Sequence, residues 1–388
     1  MNSKWSLLHS GRTDSRGEEE NRFGSSPNKG DINRRDFLQQ ASLTAAGLAA
    51  GAMGCASPDR PREVKRVMTV RGRVRAKELG PTLPHEHVFL DFIGADQVSR
   101  SRYDPDEVFK ATLPYLQQAK DLGCDTLVEC TPAYIGRDAD LLRRLAVETD
   151  LHVLTNTGYY GAGKNKFLPR HAWTETADDL SARWLTEWKD GIEGSEVRPG
   201  FIKIGVDGEP LSDLHRKLVR AAARTHLASG LTIAAHTGDG VAAMDELAVL
   251  KEEGVAPDAF IWVHAQSERS VDTHLRAATQ GAWVEFDHIS DKSLDQHVAL
   301  VQGMKDRGLL NRVLVSHDAG WYDVGKPGGG EFRPYDTLFK SFLPALKEAG
   351  FTPDEIQQLL VVNPREAFTI RERSLAIASA GARRISAA

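Results

Sequence analysis

The stretch that decides the fold reads Thr82-Leu83-Pro84-His85-Glu86-His87-Val88-Phe89-Leu90-Asp91. Its run of apolar residues predicts a short buried strand. A segment with helical periodicity follows at residues 104–122, where Asp104 is the predicted N-cap, Pro105 lies in the first turn and Gly123 ends the helix. These residues form one strand–helix unit, and the fold depends on how often the unit recurs.

The strand–helix unit recurs along the chain after residue 81. Apolar, β-branched runs predict seven more strands, at residues 125–131, 152–158, 201–206, 231–237, 259–265, 282–289 and 313–318. Helical periodicity predicts seven more helices, at residues 139–149, 174–190, 211–229, 241–253, 269–280, 294–307 and 335–349. Eight such units in about 330 residues predict an α/β fold, the TIM (β/α)8 barrel. A doubly wound open sheet lacks support because no Gly-x-Gly-x-x-Gly motif follows the first strand.

Segments on either side of the eight units have patterns of their own. Residues 67–79 predict a short N-terminal β-hairpin that lies against one end of the barrel. Residues 354–362 and 364–370 predict short C-terminal closing helices. We therefore expect the barrel domain to span residues 61–372, and residues 373–388 to form a frayed tail.

The first sixty residues are predicted to lie outside the barrel. Residues 1–32 are polar and rich in Ser, Gly, Glu and Asn, which is a composition typical of disorder. The pair Arg34-Arg35, followed by the Ala/Gly-rich residues 41–52, resembles a Tat export signal. Cys55 ends a lipoprotein-like cleavage box, which makes it a candidate lipid anchor. We therefore predict export by the Tat machinery, to the periplasm or as a membrane-anchored lipoprotein.

Composition excludes several functional classes. The 388 residues are 41% hydrophobic and 27% charged, an ordinary globular balance. A net charge of −5 without a long basic stretch argues against nucleic-acid binding. Three cysteines cannot make a disulfide framework. The sequence contains no run of 18 or more consecutive apolar residues, so we predict no conventional membrane-spanning helix.

Candidate metal ligands lie at or near the ends of five predicted strands. His85 and His87 are two residues apart in one strand, so their side chains point to the same face and can share a cation. Four more candidates follow on later strands: Lys203, His236, His264 and Asp318. Barrel enzymes keep their chemistry at this end of the strands. The set suits two divalent cations, of which zinc is the first choice and Fe, Co or Mn are the alternatives.

Lys203 is the unusual member of this set because it interrupts an apolar strand. A bare ammonium inside a barrel is costly unless it is paired or modified. Its strand shows no acidic partner on the same face, so we predict that the amine is carboxylated (N6-carboxylysine) and bridges two metals through its oxygens. The alternative is a lysine that snorkels to the rim of the barrel.

The order of these residues resembles the phosphotriesterase family of the amidohydrolase superfamily. The resemblance extends from about residue 67 to residue 370. It rests on the stretches 78–87, 157–160, 201–204, 236–238, 316–321 and 363–364.

This resemblance implies a binuclear metal centre. The ligands of the buried metal would be His85, His87 and Asp318. Those of the more exposed metal would be His236 and His264, with carboxylated Lys203 and a hydroxide as bridges.

The resemblance also implies roles in proton transfer and substrate binding. Asp287 and His288 end the seventh strand. They match a pair that, in some family members, relays the proton away from the aspartate of the eighth strand, which is Asp318 in this chain. Asp318 can accept that proton when hydroxide attacks. The phenol of Tyr160 either bonds the substrate or the bridging hydroxide, or only packs at the rim.

One departure from the family bears on the substrate. The stretch after the sixth-strand histidine usually carries aspartates, and here it reads Ala265-Gln266-Ser267-Glu268. We therefore expect lactone or ester turnover to exceed phosphotriester turnover, because the alkoxide that a lactone expels must gain a proton that Asp318 can return.

Three hypotheses for the function follow from these residues. The first is an exported hydrolase in which a metal-bridged hydroxide attacks a lactone, ester or phosphoester of a small molecule. The second is amide or phosphodiester hydrolysis at the same centre. The third is a catalytically silent barrel that serves as a surface binding protein. A homodimer is expected from the resemblance alone.

Overall fold

A computed structural model describes residues 64–208 and 210–375 of the chain. The predicted export signal at Arg34-Arg35, the candidate lipid anchor Cys55 and most of the predicted frayed tail lie outside the described residues. Within those residues, no helix combines the length and the apolar character that crossing a membrane requires.

Parallel strands make up the centre of the described fold. A two-stranded antiparallel hairpin comes first, formed by β1 (Arg66–Thr69) and β2 (Gly72–Arg75). The other strands are β3 (Thr82–Leu90), β4 (Thr126–Glu129), β5 (His152–Leu154), β6 (Asn156–Thr157), β7 (Phe201–Val206), β8 (Ile233–Thr237), β9 (Phe260–Val263), β10 (Trp283–Phe286), β11 (Val313–Val315) and β12 (Gly320–Asp323). They pair in parallel in chain order, with β5 and β6 acting as one interrupted strand.

Helices alternate with these strands. They are α1 (Pro105–Asp121), α2 (Ala139–Thr149), α3 (His171–Thr174), α4 (Ala177–Asp190), α5 (Asp213–Ser229), α6 (Gly240–Glu252), α7 (Val271–Gln280), α8 (Leu294–Asp306), α9 (Leu343–Glu348), α10 (Pro353–Gln357) and α11 (Asn363–Phe368). The chain has the fold of a TIM barrel, which confirms the prediction from sequence. The first helix begins as predicted, since the Asp104 carboxylate accepts a hydrogen bond from the main-chain N–H of Asp106.

The seam between the first and last strands closes the barrel. The main-chain N–H of Asp318 donates to the carbonyl of His85 at 3.0 Å, and that of His87 donates to the carbonyl of Ala319 at 2.9 Å. The strand β12 continues this pairing along β3, with Gly320 opposite His87. Sequence analysis missed β12, because Asp318 and Gly320 take positive φ angles of 50° and 92° that split the last strand in two.

Two predicted helical segments contain a π-helical stretch, which is wider than an α-helix. A π-helical turn at Leu338–Phe342 precedes α9, and another at Gln358–Val362 precedes α11. Each π turn comes just before a proline, Pro344 or Pro364, within the first residues of the following helix. Proline has no N–H to bond the carbonyl four residues earlier, so the preceding turn takes another hydrogen-bonding pattern.

The core has two layers. A large apolar cluster fills the space between strands and helices, and a smaller one, which includes Phe201, Ile261 and Phe368, fills the inside of the barrel. Arg373, beyond the predicted end of the barrel at residue 372, is buried, and its guanidinium donates to the carbonyls of Glu366 and Ala367 near the end of α11. The barrel thus has a filled interior, and its chemistry is confined to the ends of the strands.

Candidate metal centre

The carboxyl ends of the barrel strands bring most of the predicted ligands into one cluster. Asp318 Oδ1 lies 3.1 Å from His87 Nε2 and 3.7 Å from His85 Nε2. Ligand atoms of these three residues all lie within 4.8 Å of one another, a spacing that allows them to share one cation. The His236 and His264 rings are 4.4 Å apart between centroids, and the His264 ring is 5.1 Å from the His85 ring. Five of the six predicted ligands therefore form one continuous group.

Hydrogen bonds behind the histidines fix which ring nitrogen faces the cluster. His87 Nδ1 lies 2.8 Å from Thr131 Oγ1, whose own proton goes to the carbonyl of Phe89, so the ring must donate from Nδ1. His264 Nδ1 lies 2.6 Å from Asp287 Oδ1, an acceptor when ionised. In its neutral form, each ring therefore turns a bare Nε2 lone pair toward the cluster. Partners of this kind orient histidines that bind metals.

Burial keeps two of the histidine rings neutral. It lowers the pKa of His85 to about 3 and brings the pKa of His236 well below its ordinary value. A neutral imidazole has one lone pair to give to a cation. The His85 and His236 rings are thus in the protonation state that metal binding needs.

Lys203 occupies the interior of the barrel as an amine without a partner. The residue is 2% exposed, and its Nζ is buried and has no hydrogen-bond partner among the described residues. A side chain that snorkels would bring Nζ to water, so the structure contradicts the snorkelling alternative. An orphaned buried amine fits a group that is modified in the mature protein.

Asp318 also fits a metal ligand. Its Oδ1 is buried and has no hydrogen-bond donor among the described residues, even though His87 Nε2 is close. Because the His87 proton sits on Nδ1, the short contact brings together two electron-pair donors aimed at one point. Such a contact is costly unless a cation lies between the two atoms. The orphaned Lys203 and Asp318 atoms together fit the divalent metals that the family resemblance implies.

Four residues around the cluster have strained backbones. Positive φ angles occur at His264 (64°), His288 (61°), Asp318 (50°) and Trp321 (75°). Arg333 helps to hold this conformation, since its guanidinium donates to the carbonyl of Asp318 and lies 4.6 Å from the centroid of the Trp321 ring. Strain of this kind concentrates at functional sites and persists only where surrounding contacts enforce it.

The residues of the predicted proton relay are in contact with one another. His288 Nε2 lies 3.0 Å from Asp318 Oδ2, and His288 Nδ1 lies 2.7 Å from Asp287 Oδ1. Burial by itself would lower the pKa of His288, but the carboxylates of Asp318 and Asp287 outweigh it and raise that pKa to about 10. The side chain of His288 is 43% exposed, whereas that of Asp318 is 5% exposed. The chain of contacts therefore runs from a buried carboxylate to the solvent.

Gln266 lies next to this relay, in the stretch where the resemblance leads us to expect aspartates. Its Nε2 donates to Asp287 Oδ1 at 2.6 Å, and its Oε1 accepts from the main-chain N–H of Asp287 at 3.1 Å. The same Nε2 lies 3.0 Å from His288 Nδ1. The side chain beside Asp287 and His288 is thus a neutral amide.

Tyr160 lies at the mouth of the barrel beside the cluster. Its ring centroid is 5.0 Å from that of His236 and 5.9 Å from that of Phe167. Burial, followed by the charge of Asp318, raises the pKa of its phenol, which therefore remains a hydrogen-bond donor at neutral pH. Both predicted roles, binding the substrate and packing at the rim, are compatible with this place.

Sequence analysis missed two buried glutamates that organise the cluster. Glu285 Oε1 lies 2.7 Å from His85 Nδ1, and both side chains are 1% exposed. Glu86 points away from the cluster and accepts hydrogen bonds from the main chain on either side of Asp318. Both are acidic residues inside apolar strands, and a polar residue inside an apolar strand is the signal that singled out Lys203. The strand of Lys203 itself contains no acid, as the sequence indicates.

Five further histidines of the described residues are structural. His317 Nδ1 bonds Glu86 at 2.7 Å, and its Nε2 accepts from the main-chain N–H of Leu338. Four helical histidines are buried and hydrogen-bonded, so they pack rather than face solvent: His215, His226, His274 and His297.

Comparison with known proteins agrees with this geometry. The sequence profile described as the phosphotriesterase family matches residues 65–368. The chain belongs to the phosphotriesterase family. A relative in Escherichia coli, the phosphotriesterase homology protein, is 31% identical over 296 residues, which are 74% of this chain and 98% of that protein.

Two further relatives differ in the activity that their names state. A solved structure of a mutant organophosphorus hydrolase from Deinococcus radiodurans superposes with a TM-score of 0.70 at 25% identity, over 78% of this chain and 97% of that one. The N-acetyltaurine hydrolase of Danio rerio is 24% identical over 352 residues, 79% of this chain and 98% of that protein. Family membership and the ligand cluster together make this phosphotriesterase-family chain a metal-dependent hydrolase of small molecules.

Proposed function

We propose that this chain is a binuclear metal hydrolase in which carboxylated Lys203 bridges two divalent ions, zinc in the first instance. The observation that carries the proposal is the buried Lys203 amine, which lacks a hydrogen-bond partner among the described residues. Adding CO2 to that amine, with release of one proton, would give an anion with two oxygens. An unmodified ammonium at this place would be a buried charge without a hydrogen-bond partner among the described residues.

The contacts support the ligand sets that the resemblance implies. His85, His87 and Asp318 would hold the buried ion, since their ligand atoms lie within 4.8 Å of one another. His236 and His264, whose rings are in contact, would hold the second ion. Two such ions would supply an activated water and polarise the carbonyl or phosphoryl oxygen of the substrate.

The chain's own residues handle the proton. Asp318 Oδ2 is placed to accept the proton that hydrolysis releases, and His288 Nε2 lies 3.0 Å away. Because its raised pKa keeps the His288 ring protonated, the ring must first release its own proton toward solvent before it can take the proton from Asp318. The aspartates that would complete the relay are absent at Gln266 and Ser267. Transfer of the proton from the site to solvent therefore lacks a carboxylate at this point. A proton that stays longer on Asp318 favours its return to the leaving group.

This proton balance supports a lactone or a carboxylic ester as the preferred substrate. The alkoxide leaving group of a lactone must gain a proton, and Asp318 can return the one it accepted. A phosphotriester with a good leaving group needs little protonation and gains less from this arrangement. Slow phosphotriester turnover is expected to persist, because the ligand set is complete.

A substrate panel on the metal-loaded chain tests the proposal. We expect kcat/KM to be higher for lactones and esters than for phosphotriesters. Asp318→Asn should lower lactone turnover by roughly 100-fold or more, the scale of a lost general acid–base. Asp291→Asn serves as the control, because Asp291 is an exposed acid that bonds Ser341 outside the cluster. A panel led by phosphotriesters would reverse the choice of substrate, and a chain that binds no metal would refute the centre.

Amide hydrolysis is the second candidate function. The amine that an amide expels also needs a proton, so the same Asp318 contact serves it, and one relative is named N-acetyltaurine hydrolase. Including N-acetylated amines in the panel separates this candidate from the first.

Export completes the proposal. The Arg34-Arg35 pair and the apolar segment after it support passage through the Tat machinery to the periplasm, with Cys55 as the candidate lipid anchor. Delivery outside the cytoplasm would give the centre access to small molecules from the surroundings.

A further inference from the structure

Glu285 lies at a place where a glutamate is rarely found. It is the third residue of the strand β10, flanked by Val284 and Phe286, and it is 1% exposed. Fully buried glutamates are rare unless they are paired. A glutamate kept in this strand therefore calls for a partner inside the barrel.

That partner is His85. Glu285 Oε1 lies 2.7 Å from His85 Nδ1, which is the usual length of a strong hydrogen bond. Asp287 Oδ2 is the next acceptor, at 3.4 Å from the same nitrogen. The other oxygen of Asp287 is already engaged by the His264 ring at 2.6 Å and the His288 ring at 2.7 Å. The short contact to His85 thus belongs to Glu285.

The other buried glutamates of the described residues have different partners. Glu86 accepts from the main chain of the last barrel strand, Glu129 from the main chain of Val88, and Glu246 from the hydroxyl of Thr237. Glu285 is the buried glutamate that touches a proposed metal ligand. Its place is therefore explained by the site and not by the closing of the barrel.

We propose that Glu285 is a positioning residue, which holds the proton of His85 on Nδ1 and aims its Nε2 lone pair at the buried metal. This inference rests on the proposed function for the metal, but the tautomer it requires is a property of the metal-free chain. A neutral imidazole carries one N–H, and an acceptor beside Nδ1 decides where that proton lies. Removing a partner of this kind typically costs about 10–100-fold in metal affinity.

The first experiment needs no metal. In the full-length, metal-free protein with 15N-labelled histidine, the nitrogen chemical shifts report the tautomer of His85, whose signals are assigned by their loss in His85→Asn. We expect Nδ1–H in the wild type and in Glu285→Gln, which keeps an acceptor oxygen. Glu285→Ala should show Nε2–H or a mixture. A wild-type His85 protonated on Nε2 would overturn the proposal, whether or not any variant folds.

The second experiment measures metal release from the loaded protein into a colorimetric chelator. In Glu285→Ala, one of the two metals should leave about 10–100-fold faster, while the other keeps its wild-type rate. Glu285→Gln should fall between the two. Glu246→Gln is the matched control, a buried glutamate that touches no proposed ligand, and both metals should leave it at wild-type rates.

The outcomes separate this inference from the proposed function. A wild type that binds no metal refutes the binuclear centre, and the tautomer experiment still decides the role of Glu285. A wild type that holds two metals, with Glu285→Ala releasing both at wild-type rates, refutes the positioning role and leaves the proposed function intact. In that case Asp287 alone suffices to orient His85.

Discussion

Replacing Glu86 should weaken the barrel more than any other single truncation of an acid outside the metal cluster. Its carboxylate, 0% exposed, accepts from the Ser316 hydroxyl at 2.8 Å, from the main-chain N–H and the ring of His317 at 3.0 and 2.7 Å, and from the main-chain N–H of Ala319 at 2.8 Å. These donors belong to the last barrel strand, while Glu86 belongs to the first. One side chain therefore bonds both sides of the seam.

The magnitude follows from what Glu86→Ala leaves behind. Hydrogen bonds to a charged group contribute about 1.5–3 kcal/mol each, and they are not additive within one network. Breaking a buried charged network by removing one partner typically costs about 3–5 kcal/mol. We expect a loss of that size in the free energy of unfolding. Glu86→Gln, which keeps one acceptor oxygen, should lose less.

Chemical denaturation of the metal-free and the metal-loaded chain measures this loss. Glu148→Ala is the control, since Glu148 is an exposed acid on α2, and it should leave the midpoint unchanged. Asp318 lies between His317 and Ala319, so Glu86→Ala should also weaken metal retention. A Glu86→Ala protein with the stability of the Glu148→Ala protein would show that the seam does not depend on this carboxylate.

Three further predictions test the site and the export signal. Lys203→Ala should lose metal and activity, and short carboxylic acids should partly restore both by replacing the carboxylated side chain; an unmodified amine in a high-resolution map of the metal-loaded protein would contradict this. In the metal-free protein, the carboxylates that raise the pKa of His288 to about 10 should stabilise the fold at neutral pH. Because the raised pKa belongs to the folded state, this stability should be lost as the pH rises through about 10, and His288→Gln should flatten that part of a stability–pH curve. Replacing Arg34-Arg35 with Lys-Lys should leave precursor in the cytoplasm on cell fractionation, and normal export would show that the signal is read in another way.

The sequence carried the fold because each barrel strand is short, apolar and followed by a helix with its own boundaries. Asp104 and Gly123, for example, marked the ends of the first helix from local chemistry alone. The candidate ligands could be found for a related reason, since a histidine or lysine at the end of an apolar strand is expensive without a function. Local sequence patterns therefore identify a candidate site residue best when a polar or ionisable residue interrupts an apolar strand.

The contacts that tune the site could not be predicted in the same way. Glu285 meets His85 across 200 positions of the chain, and Glu86 meets His317 across 231. Such pairings depend on the register between distant strands, which no local pattern encodes. The split of the last strand escaped prediction because the φ angles of Asp318 and Gly320 are imposed by the seam and by Arg333, and not by the residues themselves.

The seam between the first and last strands also determines at which stage of synthesis and folding the candidate metal site can form. Its two sides are contributed by residues near His85 and near Asp318, and chains whose essential contacts join distant segments form those contacts late in folding. Domains emerge from the ribosome from the N-terminus onward. A nascent chain that has reached residue 300 already carries both histidines of the first strand, but it has neither their aspartate nor the strand that fixes their main chain. Loading of the proposed buried metal would therefore be tied to the last stage of synthesis, and a chain truncated before residue 318 would lack the aspartate proposed to retain it.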